Sequence, residues 1–182
     1  MDPQVQKLTT KGQATRARII DGAAAEIRER GVALTTIEDV VARGRASKSQ
    51  IFHYFPRGKE QLLLAVATLE SQRVLDDQQP HLSELTSWAA WQRWRDVVVE
   101  RYRRQGQNCP IAVLMSEIGR TSTGAQAVTT ELIDSWRGAI ADGIVAMQQQ
   151  DKIARTVDAE RAAAALLAGI QGGLGGEDRV GI

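Results

Sequence analysis

The stretch from Thr35 to Lys59 constrains the fold of this chain more than any other. It reads TTIEDVVARGRASKSQIFHYFPRGK and contains two short apolar-periodic segments that meet at residues 44–46. Thr36 followed by Asp39 is typical of a capping box at the start of the first segment, and Ser47 is a preferred N-cap for the second. Two short helices joined by a tight turn form a helix-turn-helix, which can hold its second helix in the major groove of duplex DNA.

The second helix of this pair, over residues 48–55, is predicted to have a buried side and an exposed side. At about 100° per residue, Ile51 and Phe55 share one side and belong to the core, whereas Ser49 and His53 point almost directly away. Polar side chains on such a surface can form hydrogen bonds with base edges without burying a fixed charge. An ordinary surface helix shows the same pattern, so these residues alone leave both interpretations open.

Lys59 opens the next predicted helix, where its positive charge opposes the helix macrodipole. A phosphate bound at the same helix end would relieve this conflict. A phosphate contact is therefore one interpretation of Lys59, and a solvated surface lysine is the other.

The segment from Thr36 to Lys59 resembles the DNA-binding domain of the TetR family of bacterial transcriptional regulators. The positions that match the family pattern are Thr36, Ser47, Phe55 and Lys59. Residues 55–62, Phe-Pro-Arg-Gly-Lys-Glu-Gln-Leu, and the Asn-Cys-Pro at 108–110 resemble the branch that includes lincomycin-resistance-type repressors.

Two residues depart from the family pattern. Arg45 stands where the family has a turn glycine, and in a left-handed backbone an arginine costs about 1 kcal/mol; Arg45 could also add a phosphate contact. Phe52 stands where the family has a phosphate-contacting tyrosine and has no hydroxyl to offer. Tyr54 does not simply replace it, because it lies about 200° further round the helix.

The resemblance implies a regulator that binds a palindromic DNA operator as a homodimer and is released by an unknown small-molecule effector. It implies phosphate contacts from Lys59, Ser47 and Thr36. It also implies base contacts from a second set of side chains on the helix over residues 48–55, which is then the recognition helix. All the residues predicted to contact DNA are Thr36, Arg45, Ser47, Lys48, Ser49, Gln50, Phe52, His53, Tyr54 and Lys59.

The remainder of the chain is predicted to be helical and to carry the effector site and the dimer interface. A tryptophan stripe at residues 88, 91 and 94 is more often core, although aromatic walls also line pockets for apolar or cationic ligands. Small residues crowd residues 159–172, which suits either a subunit interface or tight packing within the chain. The candidate ligand-binding residues are Trp88, Trp91, Trp94, Met115, Glu117 and Trp136.

The sequence therefore predicts an all-α fold with an N-terminal helix-turn-helix domain over 1–58 and a helical ligand-binding and dimerisation domain over 59–182. A polar arm is expected up to about residue 13. Apolar periodicity predicts helices over about 14–30, 36–44, 48–55, 59–77, 82–105, 111–118, 124–150 and 159–172.

Composition excludes several classes of protein. Residues 1–60 hold 11 Lys/Arg against 7 Asp/Glu, and the remainder holds 12 against 15, so the basic charge lies with the helix-turn-helix. One cysteine and two histidines argue against a disulfide or a metal site, and no cofactor is expected. The N-terminus has no apolar run of the signal-peptide kind, and no stretch suggests a membrane span, so a cytoplasmic location is expected.

Two other function classes stay open at the level of sequence. One is a helical interaction module that has lost DNA binding, which Arg45 and Phe52 would favour. The other is an all-helical enzyme, for which Glu117 or Asp134 would have to supply the chemistry, since no catalytic constellation is present. The absence of such a constellation makes the enzyme the weakest of the three.

Overall fold

The structure is a computed structural model that describes residues 8–105 and 123–173. The described residues form only helices and turns, which confirms the predicted all-α class. The helices are α1 (Thr10–Leu34), α2 (Ile37–Arg43), α3 (Lys48–Tyr54), α4 (Lys59–Asp76), a 3-10 turn (His81–Ser83), α5 (Trp88–Gln105), α6 (Thr123–Gln149) and α7 (Ala159–Gly173).

The described chain divides into two compact units. The first holds residues 8–71 and 123–128, and the second holds residues 72–105 and 129–173. The boundary at residues 71 and 72 falls inside α4, which contributes its first part to one unit and its last part to the other.

Helix α1 begins earlier than the apolar pattern predicts. Thr9 caps it, because the Thr9 Oγ1 accepts the backbone N–H of Gly12 at 3.2 Å. The expectation of a polar arm up to residue 13 is therefore wrong from Thr9 onward, since a side-chain cap starts the helix without any apolar residue. The predicted end is confirmed: Gly31 has φ 79°, which interrupts the helical backbone.

The core of the first unit joins α1, α2, α3 and α4. Ile51 and Phe55 of the recognition helix are fully buried, as predicted. The other buried apolar members come mainly from α1 and α4 and include Ile19, Ile20, Ala23, Ala24, Ile27, Val40, Leu62, Leu63 and Val66. This core holds the underside of α3 and leaves its other side to solvent.

Ion pairs fix α2 against α1. Arg43 of α2 contacts the carboxylates of Glu26 at 2.6 Å and Glu29 at 2.5 Å, both on α1. These contacts raise the pKa of Arg43 and lower that of Glu29. Arg30 of α1 reaches Asp39 of α2 at 3.1 Å. The first helix of the helix-turn-helix is thus tied to α1 along its length.

In the second unit, α5 begins at Trp88 and not at Leu82. Leu82 lies in the 3-10 turn, and the Ser87 Oγ accepts the N–H of Ala90 at 3.2 Å at the start of α5. Leu82 and Leu85 are both buried, so their three-residue spacing imitated a helical face although residues 84–87 are not helical. The 82–105 prediction was wrong at its start for this reason.

A buried polar chain anchors α5 to the end of α4. Trp94 donates its Nε1–H to Gln78 Oε1 at 2.8 Å, and Gln78 Nε2 donates to the Val74 carbonyl at 2.7 Å. Arg101 donates to the Arg73 carbonyl at 3.1 Å and pairs with Asp77. Because buried polar groups must be paired, these contacts set the register between the two helices.

Candidate nucleic-acid interface

Both helices of the helix-turn-helix begin with a complete capping box. At α2, the Thr36 Oγ1 accepts the N–H of Asp39 at 3.2 Å, and the Asp39 carboxylate accepts the N–H of Thr36 at 2.9 Å. The Thr36 hydroxyl, which donates to the same carboxylate at 2.6 Å, and the Thr36 N–H together lower the pKa of Asp39. The predicted Thr-Asp capping box is confirmed, with Asp in the place that Glu usually takes.

The cap of α3 engages one of the predicted base-contacting residues. The Ser47 Oγ accepts the N–H of Gln50 at 3.1 Å, and Gln50 Oε1 accepts the N–H of Ser47 at 2.9 Å. Sequence reasoning identified Ser47 as the cap and missed the role of Gln50. The signal was present, because Ser-x-x-Gln is itself a capping-box pattern.

The turn between α2 and α3 contains a strained arginine. Arg45 has φ 45°, in the left-handed region, and its N–H reaches the Ala42 carbonyl at 3.4 Å. Arg18 of α1 donates to the carbonyls of Gly44 at 2.9 Å and Arg45 at 3.5 Å. The turn is therefore held by α1, and its conformation is the one in which an arginine is disfavoured.

Close packing also requires glycine at two positions, one in α1 and one in the turn itself. A Cβ at Gly22 of α1 would lie 2.9 Å from the backbone nitrogen of Gly44, and a Cβ at Gly44 would lie 2.8 Å from the Val40 carbonyl oxygen. At Gly22 the obstacle to a larger residue is the backbone of the turn, and at Gly44 it is a backbone carbonyl of α2.

Helix α3 exposes a continuous polar surface with one aromatic residue in it. Its exposed residues are Lys48, Ser49, Gln50, Phe52 and His53. Tyr54, by contrast, is half-buried against the core, and its hydroxyl lies 3.5 Å from the position that a Cβ on Gly12 would take. The structure thus brings five of the predicted DNA-contacting residues onto one face and directs Tyr54 towards the first turn of α1.

Lys48 has an acidic neighbour on this surface. Its Nζ lies 2.7 Å from Glu38 Oε1 at the start of α2, and this hydrogen bond lowers the pKa of Glu38. Both side chains are more than 60% exposed, so solvent screening makes the pair weak. A phosphate could replace Glu38 as the partner of Lys48 at little cost.

Lys59 connects the start of α4 to the end of α1. Its Nζ donates to the Val32 carbonyl at 2.9 Å, next to the interruption at Gly31. Sequence reasoning gave Lys59 a phosphate or solvent as its partner and missed this carbonyl, which is 27 residues away in the chain. An ammonium group has three donors, so two remain for a phosphate.

The candidate ligand-binding tryptophans have different environments. Trp94 is buried and bonded to Gln78, Trp91 donates to the Leu85 carbonyl at 3.2 Å, and Trp88 is 57% exposed. The rings of Trp91 and Trp94 pack edge to face at 5.7 Å. Two of the three rings of the stripe therefore serve the packing of α5.

Trp136 of α6 differs from them. It is only 3% exposed, and its Nε1–H has no hydrogen-bond partner within residues 8–105 and 123–173. An unpaired buried donor costs about 1–3 kcal/mol. Met115 and Glu117, together with the predicted helix 111–118, lie outside the described residues.

Within 8–105 and 123–173, no group of three or more His, Cys, Asp or Glu side chains is arranged to hold a metal ion. None of the helices in these ranges combines the length and the apolar character needed to cross a bilayer.

The fold and this surface define an all-helical protein with a capped helix-turn-helix. Residues 19–66 match the family model of the bacterial regulatory proteins of the tetR family. The matched segment contains α2, the turn and α3, and it spans about a quarter of the chain.

Three proteins illustrate the similarity. An uncharacterised HTH-type transcriptional regulator of Mycobacterium tuberculosis is 31% identical over 116 residues, which cover 59% of this chain and 55% of that protein. The chain therefore matches about half the length of this curated relative. A TetR transcriptional regulator of Chloroflexus aurantiacus is 26% identical with a TM-score of 0.75, over 91% of this chain and 85% of that one. A Saccharomonospora viridis protein solved in complex with choline is 23% identical with a TM-score of 0.66, over 88% of this chain and 83% of that one.

Proposed function

We propose that the protein is a DNA-binding transcriptional regulator that is released from its operator by a small molecule. The observation that carries this proposal is the exposed polar face of α3, held by a core underneath and by a capped turn, within the segment that matches the tetR family. A recognition helix fixed in this way loses little conformational freedom when it enters the major groove.

The hydrogen bonds of the free protein rank the proposed phosphate contacts. Among the hydrogen bonds of the described residues, Lys59 uses one of its three ammonium donors, and Ser47 accepts through its oxygen while its O–H can donate. Thr36 donates its hydroxyl to Asp39 at 2.6 Å, so a phosphate would have to displace that carboxylate. We therefore propose Lys59 and Ser47 as the main phosphate contacts, with Lys48 and Arg45 as further cations at the same surface.

Base contacts are proposed for Ser49, Gln50 and His53. The capping role of Gln50 directs its oxygen towards Ser47, because Oε1 accepts the Ser47 N–H, and the NH₂ group is then the part that Gln50 offers to a base. A donor alone suits the O6 and N7 of guanine or the O4 of thymine, whereas bidentate contact with adenine needs the carbonyl as well. Gln50 is thus proposed to contact an acceptor on its base.

A homodimer is proposed as the DNA-binding form. The support is the surface of α7, which exposes Leu166 at 44% beside Ala165 and Gly169, with open space around Gly169. A dimer would present two recognition helices about 34–36 Å apart to a palindromic operator. Sedimentation equilibrium of the chain with and without Leu166→Glu tests this; a wild-type monomer at every concentration would contradict it.

An effector site in the second unit is proposed at Trp136, whose buried N–H has no partner among the described residues and can donate to an acceptor on a ligand. A site of this general kind is consistent with the S. viridis neighbour, which was solved in complex with choline. The effector would lower DNA affinity by binding better to the state that binds DNA worse. Quenching of tryptophan fluorescence across a compound panel that includes choline would identify ligands, and Trp136→Phe should weaken their binding.

Two finer assignments rest on sequence alone. Residues 55–62 support the lincomycin-resistance-repressor-like branch of the family. We also propose a cytoplasmic location, because the proposed partner is DNA.

The test of DNA binding is a salt titration with a duplex selected from a random pool and with random duplex. A regulator gives a steep negative slope of log K against log salt, because phosphate contacts release counterions. Lys59→Gln should weaken binding to both duplexes alike and reduce the slope by about 1. Lys152→Gln, at an exposed lysine of the second unit, is the matched control and should change neither value. A flat salt response of the wild type would refute the proposal.

A further inference from the structure

We propose that Phe52 recognises thymine in the operator by packing its ring against the C5-methyl group. This inference rests on the proposed DNA-binding function and goes beyond it, because it assigns an apolar base contact to a recognition helix whose other exposed residues are polar.

The first argument is the position of the ring. Phe52 is 44% exposed on α3, one turn from Lys48 and on the flank opposite Gln50, at the edge of the surface proposed to enter the major groove. Exposed aromatic surface of this size is costly in water, and binding would bury it. The apolar group that a base pair presents in the major groove is the methyl of thymine, and phenylalanine is among the side chains that contact it.

The second argument is that two other exposed side chains of α3 already have partners. Gln50 uses its carbonyl to cap α3, and Lys48 pairs with Glu38. Full bidentate hydrogen bonding by Gln50 would therefore compete with the cap of α3 for the same oxygen. Phe52 has no such commitment, so its contact with DNA does not compete with a contact that holds the fold.

The third argument is that the ring has a support on one side. A Cβ at Gly58, which has φ 66°, would lie 3.5 Å from Cε1 of Phe52. The ring thus lies beside the turn that precedes α4, and the residue keeps 44% of its surface exposed to solvent. A supported ring restricts which methyl it can reach, which is a condition for sequence specificity.

The experiment compares thymine with uracil, which lacks only the methyl group. Half-sites are first selected from a random duplex pool with the wild-type chain. Each selected thymine is then replaced by uracil, and affinities are measured by fluorescence anisotropy for wild type, Phe52→Leu, Phe52→Ala and Leu34→Ala. Leu34 is the control, since it is an apolar residue 70% exposed outside α3.

For the wild type, loss of one contacted methyl should weaken binding about fourfold, as expected for one buried methyl group. Phe52→Ala should remove this difference by binding both duplexes with the same, reduced affinity. Phe52→Leu should retain part of it, and Leu34→Ala should retain all of it. A purely structural role of Phe52 would lower both affinities and leave the thymine-to-uracil ratio unchanged.

Three results would overturn the proposal: no thymine in the selected half-sites, equal affinity of the wild type for thymine and uracil at every position, or a ratio that persists in Phe52→Ala. In each of these cases the wild type still selects a sequence, so the regulator proposal stands. If the wild type selects no sequence and shows no salt-dependent binding, the regulator proposal fails and the thymine contact fails with it.

Discussion

Replacement of Arg45 by glycine should stabilise the protein. At φ 45° the arginine backbone costs about 1–2 kcal/mol relative to its preferred conformations, whereas glycine adopts this region freely. Glycine loses about 0.5–1 kcal/mol more conformational free energy on folding, so the net gain should be about 0.5–1 kcal/mol. The two hydrogen bonds from Arg18 go to backbone carbonyls and would survive the substitution.

Urea unfolding followed by circular dichroism measures this gain, with two substitutions as comparisons. Arg57→Gly removes another exposed loop arginine of the same unit, one without positive φ, and should destabilise by about 0.4–1 kcal/mol. Asp151→Gly, at φ 53°, should stabilise less than Arg45→Gly because aspartate tolerates the left-handed region better. A loss of stability in Arg45→Gly equal to that in Arg57→Gly would refute the strain argument.

Two further predictions concern packing and charge. Gly143→Ala should destabilise the protein by about 1–3 kcal/mol, because the new Cβ would lie 2.5 Å from Leu85 Cβ. Gly138→Ala on the same helix, where no atom of the described residues lies within 4 Å of the new Cβ, should be neutral or stabilising by up to about 1 kcal/mol. Urea unfolding of both variants compares the two positions. The free energy of unfolding should fall as the pH drops below about 4. The reason is that folding lowers the pKa of Glu29 and Asp39, so their contribution to stability is lost once both carboxylates are protonated. Glu29→Gln should reduce this fall, and an unchanged pH profile in that variant would contradict the assignment.

Local chemistry explains which features could be predicted from the sequence. The N-caps Thr36 and Ser47, the interruption at Gly31 and the burial of Ile51 and Phe55 each follow from residues within one or two turns of each other. The predicted start of a helix was wrong where the local signal was weak or where a non-helical segment had the same spacing of apolar residues as a helix. Thr9 starts α1 although residues 10–13 carry no large apolar side chain, and the spacing of buried residues before α5 resembled a helix.

Long-range contacts could not be predicted in this way. The Lys59 ammonium meets a carbonyl 27 residues away, and Arg18 meets the turn 26 residues away. Trp94 donates a hydrogen bond to Gln78, which is sixteen residues away in the chain. This candidate ligand-binding residue therefore forms a buried contact between α5 and the end of α4. Periodicity indicates which side of a helix is buried but not which atom it meets, because that depends on how the helices cross.

These contacts change what substitutions at the proposed interface can demonstrate. Lys59, Ser47 and Gln50 each hold the helix-turn-helix together, so removing any of them should lower stability and DNA affinity at once. Loss of binding in such a variant therefore does not by itself identify a DNA contact. The ratio of the affinities for two duplexes that differ by one chemical group does not depend on the stability of the variant, because the same folded fraction binds both duplexes. For this protein, the salt slope and the thymine-to-uracil ratio are the measurements that separate recognition of DNA from maintenance of the recognition helix.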